Sequence, residues 1–269
     1  MRSEVRDDPA VLLDLATRLA RQAGRMALEG RDQALAGVVD VKSSPTDPVT
    51  AMDRSVERMV LDALVAARPH DAVLGEEGGR VDGGSGVRWV LDPIDGTVNY
   101  VYGIGQYAVS LAAEIDGVVA LGVVHNPATG EEYTAVRGRG AWRDGHRLRG
   151  SRVTELDKAL VGTGFGYGAD RRAHQAGVLA ELLPEIRDIR RFGSAALDLC
   201  FAAEGRVDAF FEQELRPWDR AAGGLVCEEA GLLVTGLGGA PAGEAMTLAA
   251  PPALHGLLHD RLLALRAAD

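Results

Sequence analysis

Apolar residues open the chain's regular patterning at helical spacing, with Val11, Leu12, Leu15, Leu19 and Met26 recurring until Gly30. Asp8-Pro9 stands just before them as an N-cap followed by a proline in the first turn, where a missing N–H costs nothing. A second helix is predicted over 51–67, with Val56, Met59, Val60 and Leu64 inward. Between the two, 38–50 reads as strand, loop, strand, broken by Pro45 and Pro48. Short apolar runs at 72–75 and 88–92 predict strands. Runs at 107–115 and 118–125 predict a hairpin, because Asp116-Gly117 between them suits a tight two-residue turn. The stretch 131–136 extends that antiparallel series.

From about residue 150 the texture changes to alternation. Strands are predicted at 159–163, 207–211 and 232–235, and helices at 173–183, 194–203, 219–230 and 252–267. Consecutive strands followed by alternating elements predict helices layered on two sheets. The whole chain, 1–269, reads as one domain with a soft division into 1–150 and 151–269, where Asp144-Gly145 and Gly150 cluster.

Composition narrows the functional classes. A chain of 269 residues with 46% hydrophobic and 25% charged residues has the balance of a soluble globular protein with a substantial core. A formal charge of −10 disfavours nucleic acid or an anionic membrane as the main partner. Residues 1–9 are charged and carry no secretory signal, and no apolar run approaches the roughly 20 residues of a spanning helix. Two cysteines, Cys200 and Cys227, make no disulfide framework and no zinc cluster, so the expected setting is a reducing cytoplasm.

The segment with the most chemical content is Trp89-Val90-Leu91-Asp92-Pro93-Ile94-Asp95-Gly96-Thr97. An apolar strand ends in two acids three residues apart, separated by a proline that turns the chain. Two carboxylates and the carbonyl of Ile94 would form a hard oxygen set of the kind Mg²⁺ prefers. Gly96 admits a ligand close to the backbone, and the N–H groups of Gly96 and Thr97 lie where a helical turn begins. Taken alone, this segment reads equally as a capped turn. Gly75-Glu76-Glu77-Gly78 puts further acids at the end of a short strand. Asp219 follows Pro217-Trp218 at the head of an apolar helix, where it could equally be the helix cap. Lys42-Ser43-Ser44-Pro45-Thr46-Asp47 is a polar connector.

Together and in this order, these segments resemble the inositol monophosphatase family of Mg²⁺-dependent, Li⁺-sensitive phosphatases. The resemblance rests on Gly75–Glu77, Asp92–Thr97, Gly193-Ser194-Ala195-Ala196 and Trp218-Asp219-Arg220-Ala221-Ala222-Gly223. The segments 42–50 and 138–141 add to it. It implies a layered α-β-α-β-α sandwich, with 1–150 as the metal and phosphate half and 151–269 as an α/β half. It implies that Glu76, Asp92 and the Ile94 carbonyl hold one Mg²⁺, that Asp92, Asp95 and Asp219 hold a second, and that a third binds loosely near Glu76. Thr97, paired with Glu76 and backed by Asp53, would orient the attacking water, with Lys42 near the metals. Gly96 and Thr97 would take phosphate oxygens, while Ser194, Ala196 and Glu212 would contact a hydroxyl-bearing ring. It also implies a homodimer. Pro48, Met52 and Tyr100 depart from the usual family residues, and none is a proposed ligand.

The physical chemistry agrees. A phosphate monoester dianion repels hydroxide, and two bound dications both neutralise it and lower the pKa of a coordinated water. The implied activity is hydrolysis of a small phosphate monoester, inositol 1-phosphate first. Histidinol phosphate, fructose 1,6-bisphosphate and 3'-phosphoadenosine nucleotides are the alternatives, and a mainly regulatory or binding role is a third reading. Glu212 favours a polyol, and no aromatic pair placed to stack a purine is expected beside Ser194 and Glu212. Three further signals read as structural. His255 and His259 suggest a surface helix face, Arg187, Arg190 and Arg191 a solvated or interface cluster, and Gly162, Gly164, Gly166 and Gly168 a loop passing near the site.

Overall fold

The computed structural model describes residues 8–36, 40–41, 48–49 and 51–269. Helix α1 (Pro9–Ala36) and α2 (Ala51–Ala67) flank the short antiparallel pair β1 (Asp40–Val41) and β2 (Pro48–Val49). Ala10 N donates to the Asp8 carboxylate at 2.9 Å, so Asp8 caps α1 as its sequence suggests. Next come β3 (Ala72–Gly75), β4 (Arg80–Val81), β5 (Val87–Asp95) and α3 (Thr97–Tyr102). The series β6 (Ala108–Ile115), β7 (Val118–His125), β8 (Glu132–Val136), β9 (Gly140–Arg143) and β10 (His146–Arg147) completes the first half. The second half runs β11 (Leu160–Thr163), α4 (Ala169–Leu182), β12 (Asp188–Arg190), α5 (Ala195–Glu204) and β13 (Ala209–Glu212). It ends with α6 (Pro217–Glu229), β14 (Leu233–Thr235), β15 (Thr247–Ala250) and α7 (Pro252–Ala264).

The strands form an eight-stranded sheet, ordered β10-β9-β8-β7-β6-β5-β3-β4, and a five-stranded sheet, ordered β12-β11-β13-β15-β14. Trp89 and Leu91 of β5 join α1 and α2 on one face, whereas Val90 joins α5 and α6 on the other. A sheet covered on both faces produces near-continuous apolar strands rather than alternation. The core around α5 and α6 also takes in Phe210 and Ala249 of the second sheet, whose far face is covered by α4 and α7. The layers are therefore helix, sheet, helix, sheet, helix. Helix α5 is buried along its length from Ala195 to Ala203, as the inner layer requires.

Small residues set how closely the middle layer packs. A Cβ on Gly122 of β7 would stand 2.8 Å from Ala222 Cα and 2.9 Å from Ala222 O, and one on Gly223 would stand 2.9 Å from Leu199 Cβ. The run Ala221-Ala222-Gly223-Gly224 thus lets α6 lie against both β7 and α5. The hairpin Asp116-Gly117 has φ of 51° and 82°, the doubly left-handed turn its sequence predicts.

Two sequence expectations change. Strand β15 was not foreseen, since Thr247-Leu248-Ala249-Ala250 has four residues and two alanines, yet it pairs with both β13 and β14. His255 is buried rather than on a surface face: its Nε2 lies 2.9 Å from Thr235 Oγ1, and its ring stacks on His259. Arg187, Arg190 and Arg191 are exposed, as a solvated cluster requires, and Arg190, in edge strand β12, pairs with Asp188 at 2.6 Å.

Gly122→Val should force α6 off the sheet and destabilise the fold by about 1–3 kcal/mol or more, since backbone atoms cannot step aside. Gly177→Ala on α4, where a Cβ meets open space, should be neutral or stabilising by up to ~1 kcal/mol. Urea unfolding of the two variants checks the contrast.

Candidate functional site

Strand β5 stops pairing regularly just where its acids begin. Asp92 is opposite Ser110, the register then shifts, and Asp95 is opposite Ala108. Pro93 lies inside that shift and has no N–H for the ladder, so the chain bulges and both acids turn to the same side. Ile94 N donates to Asp92 Oδ1 at 3.0 Å. Gly96 follows with φ 92°, and a Cβ there would meet Gln106 O at 2.9 Å and Gly193 O at 3.0 Å, so only glycine fits.

One face of α2 orients two other parts of the site. Asp53 is fully buried and accepts a hydrogen bond from Thr97 Oγ1 at 3.1 Å; the same hydroxyl lies 3.1 Å from Ile94 O. One turn later, Glu57 accepts from Glu77 N and from Gly79 N, each at 2.8 Å. Those two bonds shape the loop that carries Glu76, and Gly75 and Gly79 leave the space the Glu57 carboxylate fills. Asp53 and Glu57 are four residues apart and share that inward face.

Asp95 and Asp219 are held from the second half of the chain. Asp95 Oδ2 accepts from Ser194 Oγ at 2.5 Å and from Ala196 N at 2.7 Å, at the N-terminus of α5. Asp219 is the third residue of α6 and accepts from Arg216 N, the helix cap, at 2.6 Å. Ser110 Oγ donates to Trp218 O at 3.0 Å and ties the start of α6 to β6.

The outcome is a cluster. Asp92, Asp95 and Asp219 each offer an oxygen, and these lie within 4.8 Å of one another. Burial, then Glu76, Asp95 and Asp219, drive the Asp92 carboxyl well above the usual range. Burial raises Asp95 to about 6, with Ser194 and Ala196 opposing. Burial, then Asp95 and Glu76, raise Asp219 strongly. Such a group favours a proton or a cation, and an all-oxygen donor set matches a hard dication. The residues present fit that ion.

The cluster floors a cleft of about 560 Å³ that Glu76, Asp92, Ile94, Asp95, Gly96, Thr97, Glu212 and Asp219 all line. The structure therefore brings these sequence candidates together. Asp53 sits beneath Thr97. Ser194 and Ala196, instead of reaching the cleft, are buried behind Asp95 and donate to it; Gly193 and Ala195 line the wall from that segment. Lys42 lies outside the described residues. The glycine-rich loop does pass the site, through Phe165 to Gly168.

Sequence reasoning missed several residues. Phe165, Tyr167 and Trp218 line the cleft with Glu212, so aromatic rings do stand where no pair to stack a purine was expected. Arg191 also lines the cleft rather than belonging only to a solvated cluster. Glu57 had one available signal, an acid among inward positions Val56 and Val60. The others converge only through folding.

The model of the inositol monophosphatase family matches residues 8–268. The chain belongs to the inositol monophosphatase family. The inositol-1-monophosphatase of Mycobacterium leprae is 47% identical over 245 residues, 85% of this chain and 84% of that protein. The Nus factor SuhB of Escherichia coli strain K12 is 41% identical over 226 residues, 83% of this chain and 84% of that protein. The solved structure of Mycobacterium tuberculosis SuhB matches with a TM-score of 0.83 and 40% identity, covering 98% of this chain and 100% of that one. The layered α/β architecture is the one this family adopts, as the resemblance implied. No helix among the described residues is long and apolar enough to cross a membrane.

Two predictions follow from the crowded acids and their supports. In metal-free protein, carboxyls raised above an unfolded value of about 4 cost stability once pH passes that value. Stability should therefore fall as pH rises from about 4 through the Asp95 value of about 6. Added Mg²⁺ should raise the unfolding temperature more at pH 8 than at pH 5; calorimetry showing a pH-independent increment would refute the crowding argument. Glu57→Gln should turn an amide N–H toward a backbone N–H, cost about 1.5–3 kcal/mol, and raise the Mg²⁺ concentration needed for half-maximal response. Urea unfolding and a Mg²⁺ titration read these separately.

Proposed function

We propose that this family member is a Mg²⁺-dependent phosphatase that releases inorganic phosphate from a small phosphate monoester, inositol 1-phosphate first among them. The observation that carries the reading is the convergence of Asp92, Asp95 and Asp219 on the floor of an open cleft that also exposes Glu76. On this reading Glu76, Asp92 and the Ile94 carbonyl hold one Mg²⁺. Asp92, Asp95 and Asp219 hold a second, and a third binds on the Glu76 side. Ions so held neutralise the phosphate and lower the pKa of a coordinated water toward neutrality.

The chain's own residues then position the reactants. Thr97 donates its hydroxyl proton to Asp53, which leaves its oxygen lone pairs to accept from the attacking water. Glu76 shares that orienting task. Gly96 and Thr97 take phosphate oxygens. Ser194 and Ala196 act through Asp95, holding one oxygen so that the other faces the cluster. Glu212 faces the ring: burial raises its carboxyl to about 8, so it gains from hydroxyl donors that replace lost water.

The name of the E. coli relative, a Nus factor, favours a second reading in which this chain also serves a binding role. The full set of acids argues that catalysis accompanies any such role. A cytoplasmic homodimer working as a single domain, inhibited by Li⁺ at high Mg²⁺, completes the proposal. The charge of −10 supports a small substrate over nucleic acid.

Dialysis against chelator should abolish phosphate release, and Mg²⁺ should restore it. Asp95→Asn and Asp219→Asn should each lower kcat by at least about 10–100-fold, the loss that follows even from removing an outer partner of a metal ligand. Full turnover in metal-free buffer would sink the mechanism. Comparing kcat/KM for inositol 1-phosphate, histidinol phosphate, fructose 1,6-bisphosphate and 3'-phosphoadenosine 5'-phosphate tests the substrate. The aromatic walls make the nucleotide arm informative, and a lead for any competitor would move the substrate assignment while leaving the metal chemistry intact.

A further inference from the structure

The metal chemistry does not call for the alternating glycines after β11, and the packing at one of them has a clear consequence. Gly164 lies against the Glu212 side chain. A Cβ built on Gly164 would overlap the carboxyl carbon and both oxygens of Glu212, so the carboxylate rests flat on bare backbone. The pairing explains why they meet. β11 and β13 run parallel with Thr163 opposite Phe211, which brings the next residue of each strand, 164 and 212, side by side at the cleft.

Neighbouring groups hold this arrangement from the other sides. Gln175 on α4 is 8% exposed; its Oε1 accepts from Gly166 N at 3.0 Å, and its Nε2 reaches Gln213 Oε1 at 3.3 Å. The glycine loop is thereby tied to the segment that carries Glu212. Beyond the carboxylate lies a cavity of about 10 Å³, enough for one water, bordered by Thr163, Gln175 and Gln213. Asp198 on α5 is 1% exposed, and burial first, then Glu212 and Asp95, raise its carboxyl well above the usual range. Its charge interacts unfavourably with that of Glu212, while Arg191 attracts both.

We propose that Gly164 is a specificity-determining position whose missing side chain is the seat that keeps the Glu212 carboxylate at the cleft wall. This rests on the reading of Glu212 as the contact for ring hydroxyls. Any side chain at 164 displaces the carboxylate from this seat, so that it loses its alignment with the donors of a hydroxyl-rich ring. Phosphate esters without ring hydroxyls do not use that alignment, so their turnover is spared.

The experiment is a double-mutant cycle read on two substrates, inositol 1-phosphate and phenyl phosphate. The readout is the ratio of their kcat/KM values in wild type, Gly164→Ala, Glu212→Ala and the double variant, each with Mg²⁺. Gly164→Ala should lower the ratio by about tenfold or more, the scale on which a site built for hydroxyls discriminates. In the Glu212→Ala background the same change should alter the ratio by less than about twofold, because nothing is left to displace. Urea unfolding and the Mg²⁺-induced rise in unfolding temperature, read on each variant, show that it folds and holds its metals, and the double variant relieves the overlap if Gly164→Ala alone is unstable. Equal losses on both substrates, or an undiminished effect of Gly164→Ala without Glu212, would overturn the proposal. If Glu212→Ala alone leaves the ratio at the wild-type value, the reading of Glu212 fails and takes this proposal with it. If Glu212→Ala shifts the ratio and Gly164→Ala does not, only the role of Gly164 falls.

Discussion

Mutual repulsion among Asp92, Asp95 and Asp219 is the constraint on which this structure turns. Three carboxylates with oxygens within 4.8 Å, two of them nearly buried, form an arrangement that folding alone would not favour. Every support around them opposes that repulsion. Asp95 is held by a hydroxyl and a backbone N–H at the head of α5, where the helix dipole also favours negative charge. Asp219 spends one oxygen on the cap of α6. Asp92 accepts from the backbone two residues on. None of these contacts neutralises the cluster, and the remaining tension is what suits it to a cation.

Such a site needs elements that cannot relax away from one another, and the middle layer supplies that rigidity. Helix α6 is pressed between β7 at Gly122 and α5 at Gly223, with backbone against backbone on the sheet side. Its first turn is tied to β6 through Ser110. The carboxylate of Asp219 therefore comes to the end of β5 at a fixed height, without a flexible loop intervening. On the opposite side of the sheet, α2 uses Asp53 and Glu57, one turn apart, to hold Thr97 and the Glu76 loop. Local strain at a functional site persists when the surroundings over-determine it, and the positive φ of Gly96 beside two backbone carbonyls is such a place.

The substrate edge follows a different logic from the metal floor. There the acids are spaced by glycines rather than crowded. Glu212 rests on Gly164, and Glu214 approaches Gly166 in the same way, so alternate absence of side chains on one segment matches alternate acids on the other. Aromatic rings and Arg191 complete the wall. On the proposed reading, a floor that binds phosphate through charge can serve many esters, and discrimination among them falls to this outer wall.

Much of this was legible in the chain itself. Helix and hairpin periods gave α2, the β6–β7 hairpin and the start of α1, because amphipathic spacing and the Asp-Gly turn are local properties, although α1 runs past Gly30 to Ala36. Asp92, Ile94, Asp95 and Gly96 come from one stretch, so their joint approach to a ligand could be read from a strand, a proline and a glycine. Strand β15 could not be read, since four residues rich in alanine carry no signal until two neighbours pair with them. The burial of Ser194 and Ala196 behind Asp95, and of Glu57 beneath the Glu76 loop, depends on contacts 101, 99, 20 and 22 residues apart in sequence. The sequence by itself determined which groups are present: carboxylate oxygens, a glycine that leaves the backbone open, and an acid ahead of the last of them. Only the tertiary structure decided which groups line the cleft and which stand one layer back, because that choice is made by packing distances across two sheets and not by spacing along the chain.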